Sequence, residues 1–286
     1  MTDIKWHQEE KPKMRVNTRE GVTYLTYPEF DKLPGFVHAF STRLGGVSEG
    51  IYSSMNLSFT RGDKEEAVKE NYKRMADAAG FDMNDIVTSD QTHTANVRLV
   101  TEKDRGNGIT RPRPYTDVDG MITNVPGLVL ATFYADCVPL YFIDPVHRAI
   151  GLSHSGWRGT VAKIGAVTVR RMQEEFGSEP SEIYAAVGPS ICQDCYEVSE
   201  DVIEQFKENF AEEQWDSLFY GKLDGKYQLD LWEANHQIML EAGIREEHIS
   251  LPNLCTCCNP EFLFSHRASH GKRGNLGAFL GIKKTK

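Results

Sequence analysis

Residues 134–160 read YADCVPLYFIDPVHRAIGLSHSGWRGT. Two apolar runs within them, residues 138–143 and 149–153, flank an Asp-Pro pair, a pattern typical of a β-hairpin. Cys137 precedes the first run and His154 follows the second, so a thiol and an imidazole stand where predicted strands give way to loops. The hairpin therefore places two chemically active side chains as well as part of a sheet.

His93 offers a third donor, upstream in the sequence DQTHT at residues 90–94. Two histidines and one cysteine are donors that zinc uses in proteins, and three protein ligands leave one coordination position open for water or substrate. The residues alone leave other interpretations open: Cys137 as a small core residue, His93 as a surface residue and His154 as a turn cap. The donor set predicts an open metal site, and such a site predicts chemistry.

Two segments combine glycine with arginine and predict anion binding. Residues 155–160 (SGWRGT) stand before a predicted helix, where backbone N–H groups and Arg158 favour a negative charge. Residues 41–48 (STRLGGVS) pair two glycines with Arg43, whose guanidinium can hold a phosphate through two hydrogen bonds. The alternative is that both arginines form ordinary surface ion pairs. A metal next to an anion pocket indicates hydrolysis or phosphorolysis of a small molecule.

Composition excludes several classes of function. The chain has 286 residues and a net charge of −9, so general nucleic-acid affinity is not expected. The longest mostly apolar run, residues 128–135, is too short to cross a bilayer, and the N-terminus shows no apolar signal region. We therefore expect a cytoplasmic protein that acts on small molecules, without a nucleic-acid or membrane partner.

Sequence periodicity and turn residues predict the elements. Strands are expected at residues 22–26, 37–41, 86–89, 97–101, 127–133, 138–143, 149–153 and 183–187. Helices are expected at residues 65–79 (after an Asp63 N-cap and ended by Gly80), 159–176 (ended by Gly177), 200–209 and 231–242. The irregular alternation favours an α+β fold with layered mixed sheets over a doubly wound fold.

Several motifs in order resemble the YfiH-like family, labelled multicopper polyphenol oxidase or laccase domain, whose members are described as purine nucleoside phosphorylases. The resemblance runs from about Phe36 to the C-terminus. Its motifs are STRLGGVS (41–48), YSSMNL (52–57), QTH (91–93), ADCVP (135–139), HSGWRGT (154–160), GPSI (188–191), CYEV (195–198), CT (255–256) and FSHR (264–267).

The resemblance implies a layered α/β/β/α fold in one domain over residues 1–286, with the N-terminal part up to about residue 30 peripheral. It implies zinc on His93, Cys137 and His154, with copper the less favoured metal. It also implies phosphorolysis of adenosine, inosine, guanosine and S-methyl-5′-thioadenosine, some adenosine deamination, and a monomer or homodimer. The expected catalytic residues are Cys137, His93, His154 and Arg43, and the expected substrate and phosphate contacts are Arg43, Asn56, Ser155 and Arg158.

Six cysteines fit a reducing compartment, where metal binding or catalysis is favoured over disulfides. Five of them, Cys192, Cys195, Cys255, Cys257 and Cys258, lie outside the expected zinc set. They predict either a second, structural Cys₄ zinc site or reduced thiols that lie near one another.

Two other functions remain open from the sequence. A copper oxidase of phenols follows the older family label, but the nine histidines contain no His-x-His pair of the multicopper type. A non-catalytic zinc-binding protein is the second. The segment FSHRAS at residues 264–269 also departs from the family's Ser-Tyr-Arg-Arg-Asp pattern, which puts a substrate contact by that loop in doubt.

Overall fold

A computed structural model describes residues 3–11 and 14–284. The strands are β1 Arg15–Arg19, β2 Val22–Thr26, β3 Phe36–Ser41, β4 Ile86–Thr88, β5 Val97–Leu99, β6 Gly120–Thr123, β7 Val129–Tyr134, β8 Val138–Asp144, β9 Ala149–Ser155, β10 Tyr184–Val187, β11 Glu197–Val198, β12 Phe219–Gly221, β13 Tyr227–Leu229, β14 Ile249–Ser250 and β15 Leu276–Ile282. The α-helices are α1 Pro28–Asp31, α2 Glu65–Ala79, α3 Trp157–Val161, α4 Ile164–Phe176, α5 Glu200–Asn209, α6 Trp215–Leu218 and α7 Leu231–Glu241. Of the helices in this part of the chain, none has the length and apolarity to span a membrane.

Two six-stranded sheets and one small sheet form the β-structure. The strand order is β1-β2-β3-β15-β7-β4 in the first sheet and β14-β10-β8-β9-β6-β5 in the second. Strands β11, β13 and β12 form the third. Both large sheets are mixed, because β4 pairs parallel with β7, and β10 with β14, in otherwise mainly antiparallel ladders. The predicted α+β class with mixed sheets is confirmed.

The two large sheets pack face to face, and helices cover their outer faces. Leu130 and Leu280 of the first sheet share a buried cluster with Tyr141 and Leu152 of the second. Helix α2 packs on the outer face of the first sheet, while α4 and α7 pack on the outer face of the second. The chain therefore forms four layers in the order α/β/β/α.

The predicted hairpin is strands β8 and β9, paired from Val138 opposite Ser155 to Asp144 opposite Ala149. Helix α2 also has its predicted bounds, and Gly80 ends it in the left-handed conformation that glycine adopts most easily. The single helix expected at residues 159–176 is two helices, because Lys163 has a φ of 53° between α3 and α4. The chain turns there, and α3 stays close to the hairpin end.

Both ends of the chain contribute more to the fold than the sequence indicated. Strands β1 and β2 belong to the first sheet, and Met14 and Leu25 are buried in the core between the sheets. The segment expected to be peripheral is thus integral from Met14 onward. Strand β15, which was not predicted, lies between β3 and β7 in the middle of the first sheet.

Candidate active site

The fold brings His93, Cys137 and His154 together. One donor atom from each lies within 4.8 Å of the others, with His93 exposed, Cys137 partly buried and His154 buried. His93 sits in the loop between β4 and β5 at a φ of 66°, and Cys137 follows Asp136, whose φ is 91°. His154 lies near the end of β9, opposite Pro139. Two left-handed turns and one strand end therefore aim three donors at one point.

Asp119 contacts both histidines, although no motif in the sequence marks it as a site residue. Its carboxylate is fully buried and accepts hydrogen bonds from the backbone N–H groups of Thr92, His93 and Thr94 at 2.9, 3.1 and 3.0 Å. The same carboxylate lies 2.8 Å from Nδ1 of His154. These contacts hold the pKa of Asp119 at about 2: burial raises it, but the hydrogen bonds from His154 and the loop outweigh that effect.

The electrostatics of the two histidines differ. Burial lowers the pKa of His93, and the positive charges of His154 and Arg158 lower it further, which favours the neutral imidazole that a metal requires. For His154, burial acts to lower the pKa, but Cys137 and Asp119 outweigh it and raise the pKa to about 9. A metal ion bound here would therefore displace a proton from His154.

The three residues fit a zinc ion. Imidazole nitrogen and thiolate sulfur are its usual donors, and Asp119 fixes the ring of His154 through its second nitrogen, as metal-bound histidines require. Gly156 leaves the space open: a Cβ at that position would lie 2.9 Å from Nδ1 of His93 and 3.2 Å from Sγ of Cys137. The glycine therefore keeps a cradle that any larger residue would fill.

Asp136 stands directly before Cys137 in the sequence, but it does not orient a ligand histidine. Its carboxylate accepts a hydrogen bond from Oγ1 of Thr256 at 2.7 Å and one from the backbone N–H of Arg267 at 2.7 Å. Asp119 takes that role because it alone faces Nδ1 of His154. Asp136 instead ties the turn before Cys137 to the C-terminal part of the chain.

A cavity of about 760 Å³ opens beside the three ligands. His93, Cys137 and His154 all line it. Its walls also contain aromatic and aliphatic side chains and several cations: Phe59, Ile109, Phe133, Tyr134, Lys69, Arg111, Arg113 and Arg273. A cavity of this size, lined by charged, polar and aromatic side chains around the three donors, is suited to a polar small molecule.

Arg273 is a cation of the cavity wall that interacts electrostatically with Cys137. Burial lowers its pKa to about 10 and the charge of Arg61 adds to that effect, while Asp136 and Cys137 act in the opposite direction. Its Nη1 donates to the side chain of Asn275, but its buried Nε has no hydrogen-bond partner. Arg273 therefore has donor capacity left for an anion in the cavity.

The two arginines predicted as phosphate ligands lie elsewhere. Arg43 donates to the carbonyl oxygens of Ser53 and Pro260 at 2.9 and 2.6 Å, and its guanidinium stacks on Phe264. Arg158 is exposed, with its guanidinium 4.2 Å from the centre of the Trp157 ring. Neither arginine lines the cavity, although the positive charge of Arg158 helps to lower the pKa of His93. Their contact with phosphate stays a prediction.

Asn56 and Ser155 are fully buried in internal hydrogen-bond networks. Asn56 donates to Asp63 at 2.9 Å and accepts from the backbone of Ser58 and Asn275, which braces the loop before α2. Asp63, predicted as the N-cap of α2, serves this network instead, and Lys64 is the N-cap. Ser155 lies 2.9 Å from Thr160 and donates to Asn235 at 2.9 Å.

A second group of potential metal donors, all cysteines, lies near the turn of Asp136. Donor atoms of Cys192, Cys195, Cys255 and Cys258 all lie within 4.8 Å of one another. None of these four cysteines lines the cavity. The described residues thus contain a mixed His-Cys-His group, called the mixed site below, and an all-cysteine group that could also bind a metal. A third group, His7, Cys192 and Asp194, shares one cysteine with the second.

Comparison with known proteins gives consistent matches over most of the chain. The family model described as multi-copper polyphenol oxidoreductase laccase matches residues 37–283. Purine nucleoside phosphorylase YlmD of Bacillus subtilis (strain 168) is 38% identical over 249 residues, which is 87% of this chain and 89% of that protein. Adenosine deaminase RL5, from an unknown prokaryotic organism, is 34% identical over 241 residues, which is 84% of this chain and 91% of that protein.

A solved structure agrees with these matches. The crystal structure of YlmD from Geobacillus stearothermophilus superposes with a TM-score of 0.89 at 34% identity and covers 96% of this chain and 100% of that one. The chain therefore belongs to the laccase-domain family of purine nucleoside phosphorylases that includes YfiH and YlmD.

Proposed function

We propose that this protein is a zinc-dependent purine nucleoside phosphorylase that uses phosphate to cleave adenosine, inosine, guanosine and S-methyl-5′-thioadenosine. Its products are the free purine base and ribose 1-phosphate or its methylthio form. The observation that carries the proposal is the convergence of His93, Cys137 and His154 on the wall of a cavity of about 760 Å³. The names of relatives such as YlmD support the same reaction.

The metal belongs on His93, Cys137 and His154. When bound there, zinc supplies a positive charge that polarises an oxygen of a substrate held against it. The chain's own residues do the rest of the preparation. Asp119 orients His154 through Nδ1 and fixes the loop of His93 through three backbone N–H groups.

Phosphate binding is assigned to the cations of the cavity. In phosphorolysis a phosphate oxygen forms a bond to C1′ of the ribose, and the bond from C1′ to the purine nitrogen breaks with its electron pair going to the base. Arg273 has an unpartnered buried Nε and lines the cavity together with Cys137. Arg113 also lines the cavity and its buried Nε is likewise unpartnered, but Thr88, Ser89 and Asp90 accept from both of its Nη groups. The internal acceptors of Arg273, Gly274 and Asn275, engage its Nη1. We therefore expect Arg273 to be the main phosphate contact of the cavity, ahead of Arg113.

The apolar wall is suited to the purine. Phe59, Ile109 and Phe133 line the cavity, and the ring of Phe59 is stacked on Tyr72 at 5.5 Å between centroids. Flat aromatic walls favour a planar base and tolerate differences at its edge, because every purine has the same π-face. This tolerance supports cleavage of adenosine, inosine and guanosine alike, which differ only at the edge of the base.

Adenosine deamination is the second activity in the proposal, in line with the name of the relative RL5. That reaction replaces the amino group at C6 with oxygen from water, so a group must carry a proton. The carboxylates that line the cavity are Glu65 and Asp90, and Asp90 is held by Arg113. We expect deamination to be slower than phosphorolysis for this reason.

Purified full-length protein tests the proposal with adenosine and inosine, each with and without phosphate. Phosphate-dependent release of adenine or hypoxanthine together with ribose 1-phosphate supports a phosphorylase, and loss of this activity in Cys137→Ala places the chemistry at the mixed site. Ammonia release alone would identify a deaminase instead. Phosphate-independent oxidation of a phenol by copper-loaded protein, with no nucleoside turnover, would favour the oxidase and overturn the proposal.

A further inference from the structure

Four of the six cysteines form a compact group away from the cavity. They come from two Cys-x-x-Cys segments, Cys192 with Cys195 after β10, and Cys255 with Cys258 after β14. Cys192 and Cys255 are buried, and Cys195 and Cys258 are partly buried. The spacing and the number of ligands match those of structural zinc sites.

The distances and hydrogen bonds of this group are those of metal-binding thiolates. Sγ of Cys195 and Sγ of Cys258 are 3.5 Å apart, close to the ~3.8 Å edge of a tetrahedron with zinc–sulfur bonds of about 2.3 Å. Sγ of Cys255 accepts from the backbone N–H of Cys192 at 3.2 Å and from that of Cys258 at 3.4 Å. Backbone donors aimed at a sulfur stabilise its negative charge.

We propose that Cys192, Cys195, Cys255 and Cys258 bind a second zinc ion, a structural one. All four coordination positions are filled by sulfur from the protein, so no position is left for water or substrate. Soft thiolate ligands in a tetrahedron select zinc over the hard cations magnesium and calcium. This inference is independent of the reaction proposed above, because none of its four residues lines the cavity.

Cys257 is outside the site, although it stands between two of the ligands in sequence. Its thiol contacts Cys195 and Ser265 and does not belong to the group that shares a 4.8 Å separation. Cys257 can therefore serve as a control in mutagenesis, because it is a cysteine of the same turn that is not among the proposed ligands.

The second zinc would stabilise the loops that position Cys137 in the mixed site. Cys255 and Cys192 join two loops that also pair through Ser190, since the backbone N–H of Thr256 donates to the carbonyl of Ser190 at 3.1 Å. Oγ1 of Thr256 then donates to Asp136 at 2.7 Å, directly before Cys137. The structural zinc thus fixes the residue that braces the left-handed turn of Asp136, and with it the position of the Cys137 thiol.

Metal analysis of the full-length protein tests the proposal. We would measure zinc and iron per chain by mass spectrometry in the wild type, Cys137→Ala, Cys258→Ser and Cys257→Ser, after purification under reducing conditions with zinc in the growth medium. The expected result is two zinc ions in the wild type and in Cys257→Ser, and one in Cys137→Ala. Cobalt substituted into Cys137→Ala should show the absorption of a tetrahedral four-thiolate site.

The test does not depend on whether Cys258→Ser folds. Cys137→Ala disrupts the His-Cys-His group and leaves the four cysteines unchanged, so zinc retained by this variant would be bound to them. If that variant holds no zinc, or holds iron, the proposal is overturned. Disulfides among the four cysteines, detected by mass spectrometry after alkylation of free thiols, would overturn it as well. A wild type with one zinc that is lost in Cys137→Ala would leave the proposed phosphorylase standing and remove only the second site.

Discussion

The two ligand groups of this protein differ in composition and in their surroundings. His93, Cys137 and His154 offer three donors of two kinds and border the cavity, whereas the four-cysteine group is filled by sulfur and lies behind the turn of Asp136. Backbone N–H groups stabilise both, but in different ways. In the first group they bind Asp119, which holds the ligands, and in the second they bind the sulfur of Cys255 itself.

This difference shows how one fold separates chemistry from support. An open coordination position on a metal means that the protein supplies three donors and no fourth. The three donors must then be fixed by residues that do not themselves bind the metal, which is the role of Asp119 toward His154. A closed site needs no such support, because the fourth thiolate completes the geometry.

Gly156→Ala should remove the metal from the mixed site without changing any of its ligands. The added methyl would lie 2.9 Å from Nδ1 of His93 and 3.2 Å from Sγ of Cys137, inside the space that the ion needs. We expect nucleoside turnover to fall by more than about 100-fold, beyond the range that loss of a supporting partner of a metal ligand costs. Zinc per chain should fall by one, and thermal unfolding monitored by circular dichroism should remain cooperative. Undiminished turnover would show that the site is not where the geometry places it.

Asp119→Asn should weaken the mixed site without filling it. The amide cannot accept from His154 and from all three loop N–H groups at once, because one of its two oxygens becomes an NH₂ donor. We expect zinc affinity or activity to fall by about 10- to 100-fold, as measured by competition with a chelator.

Asp117→Asn is the matched control. Asp117 lies in the same segment and binds the side chains of Thr92, Thr94 and Asn96, but it contacts neither histidine. Equal loss of zinc in both variants would mean that loop order, and not the orientation of His154, determines the affinity.

The sequence predicted the ligands of the mixed site but not their support. Cys137 and His154 flank a hairpin whose apolar runs and Asp-Pro turn are local in sequence, so the hairpin pattern predicts that they lie near each other. The spacing to His93 is long and irregular, so the family resemblance carries that part of the prediction. Asp119 is 35 residues from His154, and nothing near it in sequence marks it as buried. Arg43 was chosen for its glycine-rich loop, but the carbonyls that bind it include that of Pro260, 217 residues away. Long-range partners of this kind follow from tertiary packing, which periodicity does not reveal.

Strand β15 shows the same limit within the fold. Its sequence LGAFLGI carries two glycines, which weaken a strand pattern. In the sheet a Cβ at Gly277 would lie 2.8 Å from Leu57, and one at Gly281 would lie 2.8 Å from Val129. Close packing in the middle of the first sheet therefore requires glycine at positions 277 and 281. The same glycines weaken the strand pattern in the sequence, so the strand was missing from the prediction.

Arg273→Ala should weaken phosphate binding at the mixed site more than Arg43→Ala does. Arg273 lines the cavity with a free Nε, whereas Arg43 is committed to two backbone carbonyls. A charge-assisted hydrogen bond is worth about 1.5–3 kcal/mol, so the KM for phosphate should rise by about tenfold or more in Arg273→Ala. Arg43→Ala should chiefly lower the unfolding temperature. The reverse pattern, with phosphate KM raised only in Arg43→Ala or Arg158→Ala, would return the phosphate to the loops that the sequence indicated.

Thr256→Val tests whether the two groups are coupled, and its effect should be the smallest on activity. The substitution keeps the shape of a fully buried side chain and removes the donor to Asp136, which retains the backbone N–H of Arg267. A lost hydrogen bond to a charged group should lower the free energy of unfolding by about 1.5–3 kcal/mol. Because Asp136 precedes Cys137, we also expect a few-fold loss of kcat/KM with both zinc ions retained. Thr123→Val removes the hydroxyl of another fully buried threonine, which accepts from the backbone N–H of Val125 away from both groups. If the two variants lose stability alike and neither loses activity, the four-cysteine group supports the fold but not the active site.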